Sequence, residues 1–253
     1  MADIKNKELV IFDLDGTLTP SKSAISSKTA KLLARLLENN KIAIIGGGHF
    51  KQFQKQLLSK IKLKPEAAFN LFLFPANSTS FFRFKKDEWK KIYGFSLSEK
   101  EKRKIFSAFE KAFKENKYKK PKKVYGQVIE DRGSQITFSA LGQKAPMLKK
   151  ERWNKTQDIR PKLMRSLKKE LPGFEVRSGG LTSIDVTGKG IDKAYGVKKI
   201  KEIFKIPISK MLFVGDALYP GGNDYAAKKT GIDCVKVSGP KDTELLIEKI
   251  VKY

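Results

Sequence analysis

Two short apolar runs, one near each end of the chain, constrain its fold more than any other feature, because each stops at an aspartate. Residues 9–12 (Leu-Val-Ile-Phe) run into Asp13, and residues 211–214 (Met-Leu-Phe-Val) run into Gly215-Asp216. Four unbroken apolar residues bounded by turn formers read as a strand buried on both faces, the pattern of a parallel sheet covered by helices. In open α/β sheets, ligands bind at the carboxyl ends of such strands. The two aspartates therefore sit where chemistry is expected, although about 200 residues separate them.

The segments around these strands follow the same pattern. A helix is expected from about Ser26, with Ser27 as its N-cap and Leu32, Leu33, Leu36 and Leu37 on one face. Lys-Ile-Ala-Ile-Ile reads as a second strand, stopped by Gly46, Gly47 and Gly48; a helix (Phe-Lys-Gln-Phe-Gln-Lys-Gln-Leu-Leu) and a third strand (Leu-Phe-Leu-Phe) follow. From residue 186 onward, helices and strands alternate again. Residues 82–185 mix runs of strands with helices, among them an amphipathic helix bearing Ile105, Phe106, Phe109 and Phe113, and a half-buried strand Gln-Ile-Thr-Phe-Ser-Ala-Leu. The expected architecture is α/β: a Rossmann-like, doubly wound parallel-sheet core from residues 1–81 and 186–253, with an α+β cap domain inserted at 82–185.

Composition removes several function classes. One cysteine, Cys234, cannot form an internal disulfide, and with one histidine, His49, a Cys-His zinc cluster cannot be assembled. Any bound metal is then expected on oxygen ligands, which favours Mg²⁺. No window reaches the roughly 18 apolar residues of a membrane span, and the N-terminal stretch lacks a signal-peptide pattern, so a cytoplasmic protein is expected. The formal charge is +26, from 53 Lys and Arg against 27 Asp and Glu. The basic residues are mostly lysine and are spread along the chain, as on a solvated surface, so nucleic acid is expected to adhere only non-specifically at low salt.

Asp13 and Asp15, two residues apart past a strand, can divide the labour of phosphoryl transfer. Asp13 can attack phosphorus, and Asp15 can protonate the leaving oxygen. Gly16 permits the tight turn that brings both near one substrate. Asp216 can supply a carboxylate to a cation beside Asp13, and Asp224, after Gly221-Gly222-Asn223, can hold the water ligands around it. Lys193 opens a predicted helix and could neutralise phosphoryl oxygens, although lysines abound here. Gly46, Gly47 and Gly48 could present backbone N–H groups to phosphate or simply turn the chain.

The segments Ile-Phe-Asp-Leu-Asp-Gly-Thr-Leu-Thr-Pro, Ile-Ile-Gly-Gly-Gly-His-Phe and Phe-Val-Gly-Asp-Ala-Leu-Tyr-Pro-Gly-Gly-Asn-Asp resemble the haloacid dehalogenase superfamily, and within it the eukaryotic-type phosphomannomutases. This resemblance implies a catalytic core with a large α/β cap closing over a phosphorylated hexose, Mg²⁺ as cofactor, a hexose bisphosphate activator, and a homodimer formed through the caps. It implies catalytic roles for Asp13, Asp15 and Lys193, and a metal set drawn from Asp13, Asp15, Asp216 and Asp224. The substrate residues it implies are Lys22, Gly46, Gly47, Gly48, Arg132, Gln143, Arg152, Ser183, Asp185 and Asn223. Lys22 and Gln143 stand where the family carries arginines, and glutamine lacks both the charge and the planar fork that grips phosphate. Two activities on one scaffold thus stay open, a hexose-phosphate mutase and a sugar-phosphate phosphatase. A basic nucleic-acid binder on an unused enzyme fold is a third, supported by net charge alone.

Overall fold

The computed structural model describes residues 6–156 and 159–251. Eleven strands occur among them: β1 (Leu9–Asp13), β2 (Lys41–Ile45), β3 (Leu71–Phe74), β4 (Ser80–Lys85), β5 (Glu88–Gly94), β6 (Ile129–Asp131), β7 (Gln135–Ser139), β8 (Phe174–Gly179), β9 (Ser183–Gly188), β10 (Met211–Gly215) and β11 (Asp233–Lys236). The chain divides into two compact units, Met1–Gly94 with Asp192–Tyr253, and Phe95–Ile191.

The first unit is built on a sheet of order β11-β10-β1-β2-β3-β4-β5. Strands β11, β10, β1, β2 and β3 are parallel, while β4 runs antiparallel to β3 and β5 antiparallel to β4. β1 lies between β10 and β2, so the two aspartate-terminated runs become neighbours, with Phe12 opposite Val214 and Asp13 opposite Ile45. Both sheet faces are covered. Val10, Phe12, Ile42 and Ile44 pack with Leu33, Leu36 and Leu37 of the helix Ser27–Asn39 and with Leu246 and Ile247 of the helix Pro240–Val251. Leu9, Ile11, Ala43 and Ile45 pack with Val197 and Ile200 of the helix Lys193–Phe204. Each buried leucine or isoleucine contributes roughly 1.5–3 kcal/mol, which is why these runs carry no polar alternation.

The N-cap of the first helix is Ser26, one residue before the expected Ser27: its Oγ accepts from the Thr29 N–H at 2.9 Å. Ser27 is already helical because Ser26 has the extended backbone a cap requires.

The second unit holds a four-stranded antiparallel sheet of order β6-β7-β9-β8. Ile136, Phe138, Ile184, Val186 and Val176 pack with Ile105 and Phe109 of the helix Glu99–Glu115 and Leu163 and Leu167 of the helix Ile159–Glu170. A capping box starts the first of these helices: Ser98 Oγ accepts from the Glu101 N–H, and the Glu101 carboxylate accepts from the Ser98 N–H. β7 is buried along its whole length, so its alternation marks a polar face that is itself covered rather than half exposed.

The unit boundaries also differ from the sequence-based 82 and 185. β4 and β5 extend the core sheet, because backbone pairing with β3 holds them there, and β9 through residue 188 belongs to the smaller sheet. No helix among the described residues is long and apolar enough to cross a membrane.

Candidate active site

The carboxyl ends of β1 and β10 bring Asp13 and Asp216 together, and the turn before the short helix Tyr225–Lys228 adds Asp224. One carboxylate oxygen from each lies within 4.8 Å of the other two. Gly16 is required here on two counts. Its φ is +98°, and a Cβ on it would stand 2.7 Å from Asp216 Oδ2. Thr17 ties the two strand ends, its Oγ1 donating to Asp216 Oδ1 at 3.2 Å and accepting from the Asp216 N–H at 3.1 Å.

Lys193 reaches this cluster as the first residue of its helix. Asp192 caps that helix by accepting from the Tyr195 N–H at 2.9 Å, which fixes where the lysine stem departs. The Lys193 ammonium is 2% exposed and donates to both Asp13 and Asp224. Burial opposes its charge, but the Asp13 and Asp224 carboxylates outweigh it and hold the ammonium above the ordinary lysine range. Burial pushes the Asp13 carboxyl well above the usual carboxylate range, while Lys193 pulls it back. Asp216 is likewise raised by burial, with Asp224 adding to the effect.

Three carboxylates against one ammonium leave this pocket short of positive charge. Asp13 Oδ2 is buried and has no hydrogen-bond partner. An orphaned carboxylate oxygen beside two more carboxylates, a candidate ligand set made of oxygen alone, fits a hard divalent cation. Asp15, grouped with the metal ligands on sequence, directs its carboxylate elsewhere: Oδ1 accepts from the Lys22 N–H at 2.5 Å and from Gln56 Nε2 at 2.9 Å, and Oδ2 from Gln52 Nε2 at 3.2 Å. Its carboxylate is not part of the triad.

The remaining first-unit residues are placed unevenly. Lys22 is half-buried with φ +59°, and it is its N–H that meets Asp15. The Gly46 N–H is not bare, since it donates to the Phe74 carbonyl at 3.3 Å where the β2–β3 ladder continues. The loop is further clamped by the turn Pro75–Ser78. There Ala76, Asn77 and Ser78 all have positive φ, and the Ala76 and Asn77 N–H groups donate to the Gly48 and Gly46 carbonyls at 2.8 and 2.9 Å. His49 caps the next helix, its Nδ1 accepting from the Gln52 N–H at 3.3 Å. Asn223 is exposed, beside the fully buried Asp224.

In the second unit, the face of the small sheet opposite its apolar core is polar. Asp185 Oδ1 accepts from Thr137 Oγ1 at 2.8 Å, and the Ser183 and Ser139 hydroxyls lie 2.6 Å apart. Arg132 donates from Nε to Glu130 at 2.7 Å and from Nη2 to Gln143 Oε1 at 3.2 Å. Arg132 and Gln143 are thus brought together, as are Ser183 and Asp185 on β9. Arg152 does not join the buried set: it is exposed on the helix Met147–Thr156, while Lys150 is buried. Two residues along a helix turn by about 200°, so one face cannot carry both. Thr17, Gln52, Gln56 and Thr137 were not singled out from sequence. Thr17 lay inside the aspartate motif, but a glutamine in a lysine-rich helix carries no local signal.

A family model described as eukaryotic phosphomannomutase matches residues 29–253. The phosphomannomutase of Saccharomyces cerevisiae is 30% identical over 227 residues, covering 87% of this chain and 85% of the relative. That of Encephalitozoon cuniculi is 27% identical over 254 residues, covering 97% and 94%. Among solved structures, an N-terminally truncated Plasmodium falciparum IMP-nucleotidase superimposes with a TM-score of 0.72 at 20% identity, over 98% of this chain and 71% of that one. A haloacid dehalogenase-like hydrolase from Bacteroides thetaiotaomicron gives 0.63 at 16% identity, over 96% and 99%. At these identities the structural likeness speaks for the fold alone.

Proposed function

The chain belongs to the eukaryotic phosphomannomutase family, and from that premise we propose that it moves a phosphoryl group between the 6- and 1-positions of a hexose, mannose above all, through an aspartyl phosphate on Asp13. The observation that carries this reading is the buried Lys193 joined to Asp13 and Asp224, with Asp216 completing an all-oxygen triad. An ion-paired cluster of this kind is expensive to bury and serves fold stability poorly, which favours a chemical role.

In the proposed reaction an Asp13 oxygen forms a bond to phosphorus while the bond from phosphorus to the sugar oxygen breaks. The electron pair leaves on that oxygen, which takes a proton from Asp15. The acceptor hydroxyl later returns a proton to Asp15 as it attacks the phosphoaspartate. Lys193 holds Asp13 in place and offsets the charge that gathers on the transferring group. Mg²⁺, held by Asp13, Asp216 and Asp224, would supply Lewis-acid neutralisation of the phosphoryl oxygens. The polar sheet face would serve the sugar, with Ser183 and Asp185 on its hydroxyls and Arg132 on its second phosphate. A hexose bisphosphate activator, a dimer through the inserted unit and a cytoplasmic location complete the proposal.

A second reading, a sugar-phosphate phosphatase, is favoured by one observation: Arg132 is already engaged by Glu130, and its neighbour Gln143 is uncharged. A weak distal phosphate site would let water take the phosphoryl group before the bisphosphate turns over. The deciding experiment incubates the protein with Mg²⁺, mannose 1-phosphate and a trace of hexose 1,6-bisphosphate, following mannose 6-phosphate and free phosphate together. Isomerisation with little phosphate release supports the mutase, and phosphate release without isomerisation supports the phosphatase. Asp13→Asn should keep the fold and abolish both, and undiminished turnover in that variant would overturn the mechanism.

A further inference from the structure

Gly48 sits in a loop tied to the turn Pro75–Ser78, whose Ala76 and Asn77 N–H groups hold the carbonyls on either side of Gly47, so the flexible tip of Gln52 is what would move first. A Cβ at Gly48 would lie 2.3 Å from Gln52 Oε1 and 2.5 Å from its Cδ. That crowded side chain is the one whose Nε2 donates to Asp15 Oδ2. Four residues on, Gln56 donates to the other oxygen of the same carboxylate. The i, i+4 spacing puts both amides on one helix face, and between them the helix widens into a π-helical turn over Gln54–Leu58. Gln56 is 2% exposed, and its Nε2 also donates to the Ser23 carbonyl at 2.8 Å. A carbonyl only accepts, so this bond fixes which end of the amide faces Asp15. Gln56 Oε1 is left buried without a partner, a cost borne for that orientation.

We infer that Gln52 and Gln56 are positioning residues that hold the Asp15 carboxylate for proton transfer, and that residue 48 is glycine so that Gln52 can take its place. This rests on the reading of Asp15 as the proton carrier. The signature is a dependence on the leaving group. A sugar oxygen must receive a proton from Asp15 as the P–O bond breaks, whereas 4-nitrophenolate departs as a stable anion and needs none.

The test measures single-turnover phosphoryl transfer by the full-length protein with Mg²⁺, from mannose 6-phosphate and from 4-nitrophenyl phosphate, the latter by its nitrophenolate burst. Gln52→Ala and Gln56→Ala are each expected to slow transfer from the sugar phosphate by roughly tenfold to hundredfold, the scale of a misplaced reacting group. The loss on the aryl phosphate should be at least several-fold smaller, with KM for the sugar phosphate little changed. Gly48→Ala should reproduce Gln52→Ala, and the double variant should be no worse than either, because both remove one interaction. The burst amplitude reports the folded, competent fraction of each variant. Equal losses on both substrates would overturn the positioning role, and additive losses from Gly48→Ala and Gln52→Ala would overturn the link between those residues. Asp15→Asn separates the two levels. If it shows the leaving-group dependence and the glutamine variants do not, this inference alone fails; if it shows none, the proton-carrier reading fails and takes the inference with it.

Discussion

Replacing Lys193 with methionine removes the cation from a cluster that has almost no access to water. The side chains of Lys193, Asp13 and Asp224 are 2%, 4% and 0% exposed, so solvent screening does not soften the change. Two unit charges at the 4.8 Å limit of the triad repel by about 3.5 kcal/mol at an effective dielectric of about 20. The fold can escape by protonating a carboxylate, at a cost of about 1.36 kcal/mol for each pH unit above an unfolded value near 3.9. That cost is about 5 kcal/mol at pH 7.5 and about 1.5 kcal/mol at pH 5. The expected loss of stability is therefore about 3–5 kcal/mol at pH 7.5, matching the range for breaking a buried ion pair from one side, and falls to about 1.5 kcal/mol at pH 5. The sign follows from Asp13, whose carboxyl burial already raises and which then loses the ammonium that lowers it. A carboxyl raised in the fold destabilises it progressively as pH climbs above the unfolded value. Urea unfolding followed by circular dichroism, in EDTA at both pH values, reads the difference. A second change, Asp224→Asn, should restore part of the deficit at pH 7.5, and millimolar Mg²⁺ should narrow it, because the carboxylates left without the competing ammonium bind the cation more tightly than the parent's do. A deficit that is absent at pH 7.5, or that does not shrink at pH 5, would refute the reasoning.

Other outcomes follow from single contacts. The Glu101 carboxyl is held below its ordinary value by hydrogen bonds from the Ser98 hydroxyl and N–H. Its stabilising effect is present above the unfolded value and lost as pH falls through the folded one, so Ser98→Ala should flatten the acid limb of a melting-temperature profile. Burial pushes the Cys234 thiol up to about 11, so iodoacetamide at pH 8 should label the native chain slower than the urea-unfolded chain by on the order of 10²-fold. Adhesion to single-stranded RNA, if driven by the +26 charge alone, should show no sequence preference and collapse between 50 and about 200 mM salt in a filter-binding assay.

The sequence by itself was enough to place β1, β2, β3 and β10, because strands covered on both faces must be apolar throughout, and to mark Asp13 and Asp216 at their ends. It also marked Asp15 and Asp224 by residue type and spacing, and Lys193 through the family resemblance. What it left undecided depends on which atoms meet across long separations. Asp15 turns from the triad because Gln52, Gln56 and the Lys22 N–H draw its carboxylate away. Arg152 is exposed while Lys150, two residues earlier on the same helix, is buried. Gly48 serves the Gln52 side chain, a relation no local pattern records. Apolar periodicity is set by burial, a property each residue expresses alone, so it can be read along the chain. Hydrogen bonding between polar side chains depends on distance and direction between residues that only the folded backbone brings together, and so it was decided by the tertiary structure.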